Sequence, residues 1–281
     1  NNLVAGAYTV DVMDANGCTI ASTLNITLTE PTGIGAVGSV TSSYNGSDLS
    51  CNGDSDGQIT AVGSNGSGGY AYVLNEDLGN TTGNASGVYT GLSSGSYTVT
   101  ITDSNGCDAT TTTITVTDPT AVGVSATAND IVCNGDTDGT VTGVGIGGTG
   151  TLTYDLLDGA NSPVGNTTGD VSGSYTGLGA GTYRVEVTDA NGCTAISTDA
   201  VVSEPVGISA GTTESNYNTF NISCNGESDG YIEVTAVGGT GDYTFNLNTG
   251  AEIQTQPGAV YRFNNLVAGA YTVDVMDANG C

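Results

Sequence analysis

The side chains whose types and spacing suggest chemistry are cysteines, asparagines and acids that recur in fixed register. The segment Cys-Asn-Gly-(Asp/Glu)-x-Asp-Gly begins at Cys51, Cys133 and Cys224. In the first of these, Asn52, Asp54 and Asp56 set oxygen donors at alternate positions before a turn glycine, as in the first half of a calcium loop. Asn134, Asp136 and Asp138 repeat the pattern, and so do Asn225, Glu227 and Asp229. Position twelve of the first loop is Gly63, so no bidentate acid closes an EF-hand. Two readings stay open: a calcium loop whose shell another loop completes, and a plain Asn-Gly or Asp-Gly turn with solvated acids. Calcium is thus a candidate cofactor, and no cofactor is certain.

A second recurring segment is Leu-x-x-Gly-x-Tyr-x-Val-x-(Val/Ile)-x-Asp-x-Asn-Gly-Cys. It runs from Leu3 to Cys18, Leu92 to Cys107, Leu178 to Cys193 and Leu266 to Cys281. With Cys51, Cys133 and Cys224 these make seven cysteines, of which Cys281 repeats Cys18. Cysteines at fixed places in successive units read as a disulfide framework in an oxidising compartment. Zinc is disfavoured, because no Cys-x-x-Cys pair and no histidine is present. The same lack of histidine removes the commonest general base. The acids recur in every unit, as turns do and a single active site does not, so no catalytic residue is assigned and an enzyme is not expected.

Residues 1–18 recur letter for letter as residues 264–281, an offset of 263. The sequence therefore reads as slightly more than one period of a longer repeating polymer. Within it, an acid followed by proline closes each unit, at Glu30-Pro31, Asp118-Pro119 and Glu204-Pro205. The units this defines are 1–31, the C-terminal part of a module; 32–119; 120–205; and 206–281. The last lacks its final strand, which residues 19–31 of the next period would supply.

Composition narrows the partners. Two basic residues, Arg184 and Arg262, stand against 29 acids, for a net charge of −27. That field repels nucleic acid and anionic lipid. No run of 18 apolar residues occurs, so membrane insertion is not expected. A Lys–Asn isopeptide staple is impossible in a chain without lysine.

The elements that must position these residues are strands. Tyr97, Val99 and Ile101 alternate with threonines, and Tyr183, Val185 and Val187 alternate with Arg184, Glu186 and Thr188. Ile232, Val234 and Ala236, and then Tyr243, Phe245 and Leu247, do the same. Period-two alternation is the pattern of half-buried antiparallel strands. In the unit 120–205 it predicts strands near 122–132, 139–146, 151–157, 171–177, 182–188 and 193–202, with glycine turns between them. Such a count in so few residues indicates an all-β Greek-key sandwich. The Leu-x-x-Gly-x-Tyr segment resembles a tyrosine corner, with Tyr8, Tyr97, Tyr183 and Tyr271 as the corner residues. With no Trp and three Phe, each core is thin, and disulfides would carry a large share of its stability.

The order Cys-Asn-Gly-x-x-Asp-Gly, Gly-Gly-x-x-x-Tyr, Leu-x-x-Gly-x-Tyr…Asn-Gly-Cys resembles the SprB repeat, found in giant surface adhesins of gliding Bacteroidetes. The resemblance implies tandem immunoglobulin-like modules forming an extended fibre, type IX secretion, and an extracellular filament that grips the substratum during gliding. One departure is visible: where many members carry an aromatic pair on the third strand, this chain has Tyr72/Leu74, Tyr154/Leu156 and Phe245/Leu247.

An immunoglobulin-like topology puts the first cysteine of each module at one end and its Asn-Gly-Cys turn at the other, about 25 Å or more apart. Bridges then join stacked modules, Cys51–Cys193 and Cys133–Cys281, with Cys18, Cys107 and Cys224 pairing outside or across the period. The alternative, if the first strand is short or displaced, is bridging within modules, Cys51–Cys107 and Cys133–Cys193. Stacking also brings the turn acids Asp103, Asp189 and Asp277 toward neighbouring loops as candidate calcium ligands. The expected partners are neighbouring modules or other copies of the fibre. Surface polysaccharide is a further candidate partner if Tyr89, Tyr175 or Tyr261 is exposed rather than packed. The rival reading is a structural fibre or sheath subunit that polymerises or bundles without gripping anything.

Overall fold

A computed structural model describes residues 2–19, 24–248, 252–256 and 258–281; positions 20–23 of the segment 19–31 lie outside it. The described residues form strands and turns, with no helix among them. The chain divides into two compact units, residues 1–120 and 121–281.

In the first unit, Gly35–Val40, Gly57–Ser64 and Val88–Leu92 form one antiparallel sheet, with Gly57–Ser64 in the middle. Ala71–Leu74, Val99–Thr102 and Asp108–Thr110 form the facing sheet. The last strand, Ile114–Val116, pairs with Gly95–Tyr97, the start of the tyrosine strand. Side chains alternate as the sequence does. Ile59, Ala61, Leu74, Tyr89, Val99 and Ile101 point inward and are almost wholly buried in one core.

The second unit holds two further sandwiches, each with its own core. Gly123–Asn129, Gly139–Ile146 and Ser174–Leu178 face Thr153–Asp158, Gly181–Thr188 and Thr194–Ile196. Ala200–Val202 closes this sandwich by pairing with Gly181–Tyr183. Its core gathers Ile131, Val141, Leu156, Tyr175, Val185 and Val202. The third sandwich pairs Ser209–Glu214, Gly230–Val237 and Val260–Leu266 over Glu252–Gln256, Tyr243–Leu247 and Val273–Met276. In its interior Phe245 stacks on Tyr261, with centroids 6.0 Å apart, and Tyr261 meets Phe263 edge-on at 4.8 Å. The chain is thus an all-β protein of tandem immunoglobulin-like sandwiches.

The sequence places one continuous strand at 193–202, and the structure breaks it at Ser197. There the Val185 amide donates to Ser197 Oγ at 3.0 Å, and the Ser197 amide donates to Val185 O. Thr111 makes the same kink against Val99. A buried hydroxyl replaces one ladder carbonyl, so the strand changes direction without leaving a donor unsatisfied.

Candidate functional site: the module junction

Each Cys-Asn-Gly segment is a tight turn in the loop after the first strand. The Asp54, Asp136 and Glu227 amides donate to Cys51 O, Cys133 O and Cys224 O, each at 3.1 Å. Gly53, Gly135 and Gly226 sit at φ of 85°, 85° and 90°, which a side chain resists. The second acid of each loop turns back on the chain. Asp56, Asp138 and Asp229 accept the amides of Ser50, Val132 and Ser223 at 3.2, 3.2 and 3.1 Å. Burial opposes ionisation of Asp56, but hydrogen bonds from Ser50 and Tyr44 outweigh it and lower its pKa. The Ser223 hydroxyl and amide likewise hold Asp229 below the usual carboxylate range. Asp54 accepts the Ser50 hydroxyl at 2.7 Å.

The front of the same turn grips the point where the chain leaves its sandwich. Asn52 Nδ2 donates to Pro119 O at 3.0 Å, and the Gly53 amide donates to Asp118 at 2.9 Å. Asn134 Nδ2 donates to Pro205 O at 3.0 Å, and the Gly135 amide to Glu204 at 2.8 Å. The repeated Asn-Gly and the repeated acid-proline are therefore two halves of one latch.

The Asp-x-Asn-Gly-Cys turns are built around their aspartates. Asp189 Oδ1 accepts the Asn191 and Cys193 amides, both at 2.9 Å, while Oδ2 accepts Thr149 N at 2.8 Å. Asp103 and Asp277 repeat this geometry with Asn105, Cys107 and Ser67, and with Asn279, Cys281 and Thr240. All three carboxylates are buried and hold lowered pKa values. At Asp103 the Ser67 amide is the largest influence. At Asp189 and Asp277 burial alone would raise the pKa, and the backbone donors overcome it. These carboxylates spend their lone pairs on backbone amides and so lock one loop to another. Among the described residues no group of three or more His, Cys, Asp or Glu side chains is placed to hold a metal ion.

Within the second unit, Cys133 is bonded to Cys281, with Cα atoms 5.5 Å apart. The bond crosses from the middle sandwich to the last. Cys133 is therefore not paired with Cys193, and Cys107 is an exposed thiol not paired with Cys51; pairing within modules is not what the structure contains. Cys51 and Cys193 are also oxidised, while Cys18 and Cys224 are exposed thiols. Around the Cys133–Cys281 bond the linker is held from both sides. Asn134 takes Pro205 O, and the Gly239 amide donates to Val206 O at 2.7 Å. A Cβ on Gly238 would come within 2.2 Å of Gly207 O, so only glycine permits this approach. Asp136 and Asp277 line the small cleft that remains.

The corner tyrosines all close the same short loop. Tyr8, Tyr97, Tyr183 and Tyr271 donate to the carbonyls of Val4, Ser93, Gly179 and Val267 at 2.7, 2.9, 3.0 and 2.9 Å. Tyr89 and Tyr175 are fully buried, and Tyr261 packs on the third core, so these rings form strand packing and not an open aromatic face.

Two motifs escape the reading of the sequence. The first is Asn-Thr-Thr-Gly-x-x-Ser-Gly-x-Tyr, at Asn80–Tyr89 and Asn166–Tyr175. Asn80 and Asn166 donate to Thr90 O and Thr176 O at 2.9 Å, and Gly83 and Gly169 lie flat against the Tyr89 and Tyr175 rings. The repetition of these ten positions was the available signal. The second is a hairpin before the first cysteine, bridged at Tyr44–Ser47 and at Tyr217–Phe220. Its tyrosine donates to Asp56 O or Asp229 O at 3.1 Å.

Tandem sandwiches joined by a disulfide and a proline latch define a modular all-β protein. Residues 43–79 and 216–252 each match the family model of the SprB repeat. Both matches begin one residue before the tyrosine hairpin. A search of curated proteins finds no match for the chain. Among solved structures, the three N-terminal domains of the bacteriophage RB49 Highly Immunogenic Outer Capsid protein are similar at 11% identity and a TM-score of 0.41, covering 83% of this chain and 88% of that one. Murine CEACAM1b is similar at 12% identity and a TM-score of 0.29, covering 60% and 98%. The FN1–FN3 domains of chicken CNTN1 follow at 15% and 0.24, covering 89% and 94%.

Proposed function

We propose that this chain is a segment of a long extracellular adhesin filament on a bacterial surface, mediating attachment and, in gliding cells, motility. The observation that carries the reading is the Cys133–Cys281 bond, which runs between successive sandwiches of a chain that matches the SprB repeat model at two segments. A junction crossed by both backbone and disulfide resists being pulled apart, as a load-bearing filament requires. Cystines persist outside the reducing cytosol, which supports an extracellular setting; the SprB resemblance implies type IX export as the route. The filament acts as a linear array whose stiffness resides at its junctions. No catalytic step belongs to this role. Its partners are neighbouring modules and other copies of the fibre. With a net charge of −27, divalent cations such as calcium act chiefly as counter-ions that screen or bridge neighbouring fibres.

The structural-fibre reading is favoured by one observation, the burial of Tyr89 and Tyr175, which removes the aromatic platform that sugar binding uses. Beads coated with the chain, held under flow on glass and on polysaccharide films, separate the two. Retention that soluble chain competes away is expected for the adhesin. Beads that wash off while the coating stays folded point to a purely structural fibre.

A further inference from the structure

The Cys133–Cys281 bond closes a loop across 148 positions of the chain. Within that loop lies every strand of the middle and last sandwiches except Gly123–Asn129. The second unit begins at Ala121, so only Gly123–Asn129 and a short turn separate its start from the bond.

This closure gives tension two routes of very different length. A pull between Ala121 and Cys281 runs along Gly123–Asn129, enters Cys133 and crosses the two sulfur atoms. Residues 134–280 form the parallel branch, which stays slack because the bonded route is far shorter. Drawn out fully, that branch would add about 500 Å of chain. Both ends of the short route are anchored. On one side the Ile131 amide donates to Ser203 O at 2.9 Å, and the Gly135 amide to Glu204 at 2.8 Å. On the other, the Cys281 amide donates at 3.0 Å to Asp277, which also takes the Thr240 amide at 2.8 Å.

The two basic residues fall in the same slack branch. Arg184 lies in Gly181–Thr188 and donates to Asp199 at 2.6 Å and Asn161 at 2.9 Å. Arg262 lies in Val260–Leu266, 2.7 Å from Glu233 and 4.0 Å over the Tyr231 ring. The chain has no lysine, so a trypsin-like protease can cut only after these two residues. A cut at either one leaves Ala121 and Cys281 joined through sulfur.

We propose that the Cys133–Cys281 bond is a covalent bypass, which carries tension past both sandwiches and keeps the filament continuous after its basic sites are cut. The sandwiches inside the loop then hold a shape and not a load. That suits thin cores, in a chain with no Trp and three Phe. The agents it withstands are a pull along the fibre and extracellular proteases of basic specificity.

The inference rests on the reading of the chain as a filament under tension, but not on what the filament grips. Bead retention and bypass can therefore fail separately. The test is tryptic digestion of the 281-residue chain, with Cys18, Cys107 and Cys224 alkylated and enough urea to open the sandwiches. Alkylation blocks thiol–disulfide exchange, and urea exposes both arginines. Before reduction, peptide 263–281 is expected to stay joined to the fragment that ends at Arg184, and reduction should free it. In the Cys281→Ser variant it should leave without reductant. Release of 263–281 from the unreduced parent chain would overturn the proposal. A second measurement reads tension directly: single chains pulled from their two ends should lengthen by about 500 Å or more when reductant is added under load. Equal length before and after reduction would overturn the bypass, even where digestion finds the bond.

Discussion

Residues 1–18 and 264–281 share one sequence in two environments, and what survives the change is local. Tyr8 and Tyr271 both close their corner at 2.7 and 2.9 Å. Asp14 and Asp277 both accept the amides two and four residues ahead. What differs needs a neighbour. Asp277 is buried and also takes the Thr240 amide, whereas Asp14 is exposed. Leu3 is exposed, while its counterpart Leu266 packs against Phe263 and the rest of the third core. Short-range hydrogen bonds are thus set by sequence, but strand pairing and burial are set by what the rest of the module supplies.

The sharpest way to break this comparison is to empty the core beneath one copy. Phe263→Ala should destabilise the third sandwich by about 3–5 kcal/mol, whereas Ile26→Ala at the exposed N-terminal pair should change unfolding by less than about 0.5 kcal/mol. Denaturant unfolding of both variants checks this. Next in size is the junction. Cys133→Ser should cost the second unit about 2–5 kcal/mol and leave the first unit's transition in place.

A smaller contrast comes from acid. The folded pKa of Asp277 lies below its unfolded value, so its stabilisation is complete above the ordinary carboxylate range, near about pH 4, and is lost as pH falls through the lowered folded value. Melting temperature should therefore fall on acidification. Asp277→Asn should flatten that pH dependence. The smallest effect should be nearly equal in the two copies. Tyr8→Phe and Tyr271→Phe each remove one hydroxyl bond worth about 1 kcal/mol, measurable by hydrogen exchange of the corner amides.

Much of this was legible in the sequence, because repetition sampled the same motif in several contexts. Strict alternation at Tyr183, Val185 and Val187 shows the strand and its inward face. The Leu-x-x-Gly-x-Tyr spacing shows the corner, since its bond spans four residues of one chain segment. The acids were harder to assign. Alternate carboxylates suit calcium and suit Asx turns equally well on paper. Only the fold shows Asp138 and Asp229 turned onto Val132 and Ser223, and Asp189 enclosed by Thr149, Asn191 and Cys193. The acid-proline signal marked a boundary in the sequence, but its role as a latch needs the chain from Asn134 to Pro205, 71 positions apart, to be folded first. The kink at Ser197 also escaped, because one buried hydroxyl leaves no periodic trace.

The central claim is that Gly269–Tyr271 becomes a protected strand only when a strand with the sequence of residues 24–28 lies beside it, as Ala200–Val202 lies beside Gly181–Tyr183. Amide exchange across residues 266–276, read in dilute chain with and without a peptide of residues 19–31, tests it directly. Slowed exchange at Gly269–Tyr271 on adding the peptide, with none from a scrambled peptide, is the expected result. Equal exchange in all three samples would contradict the account.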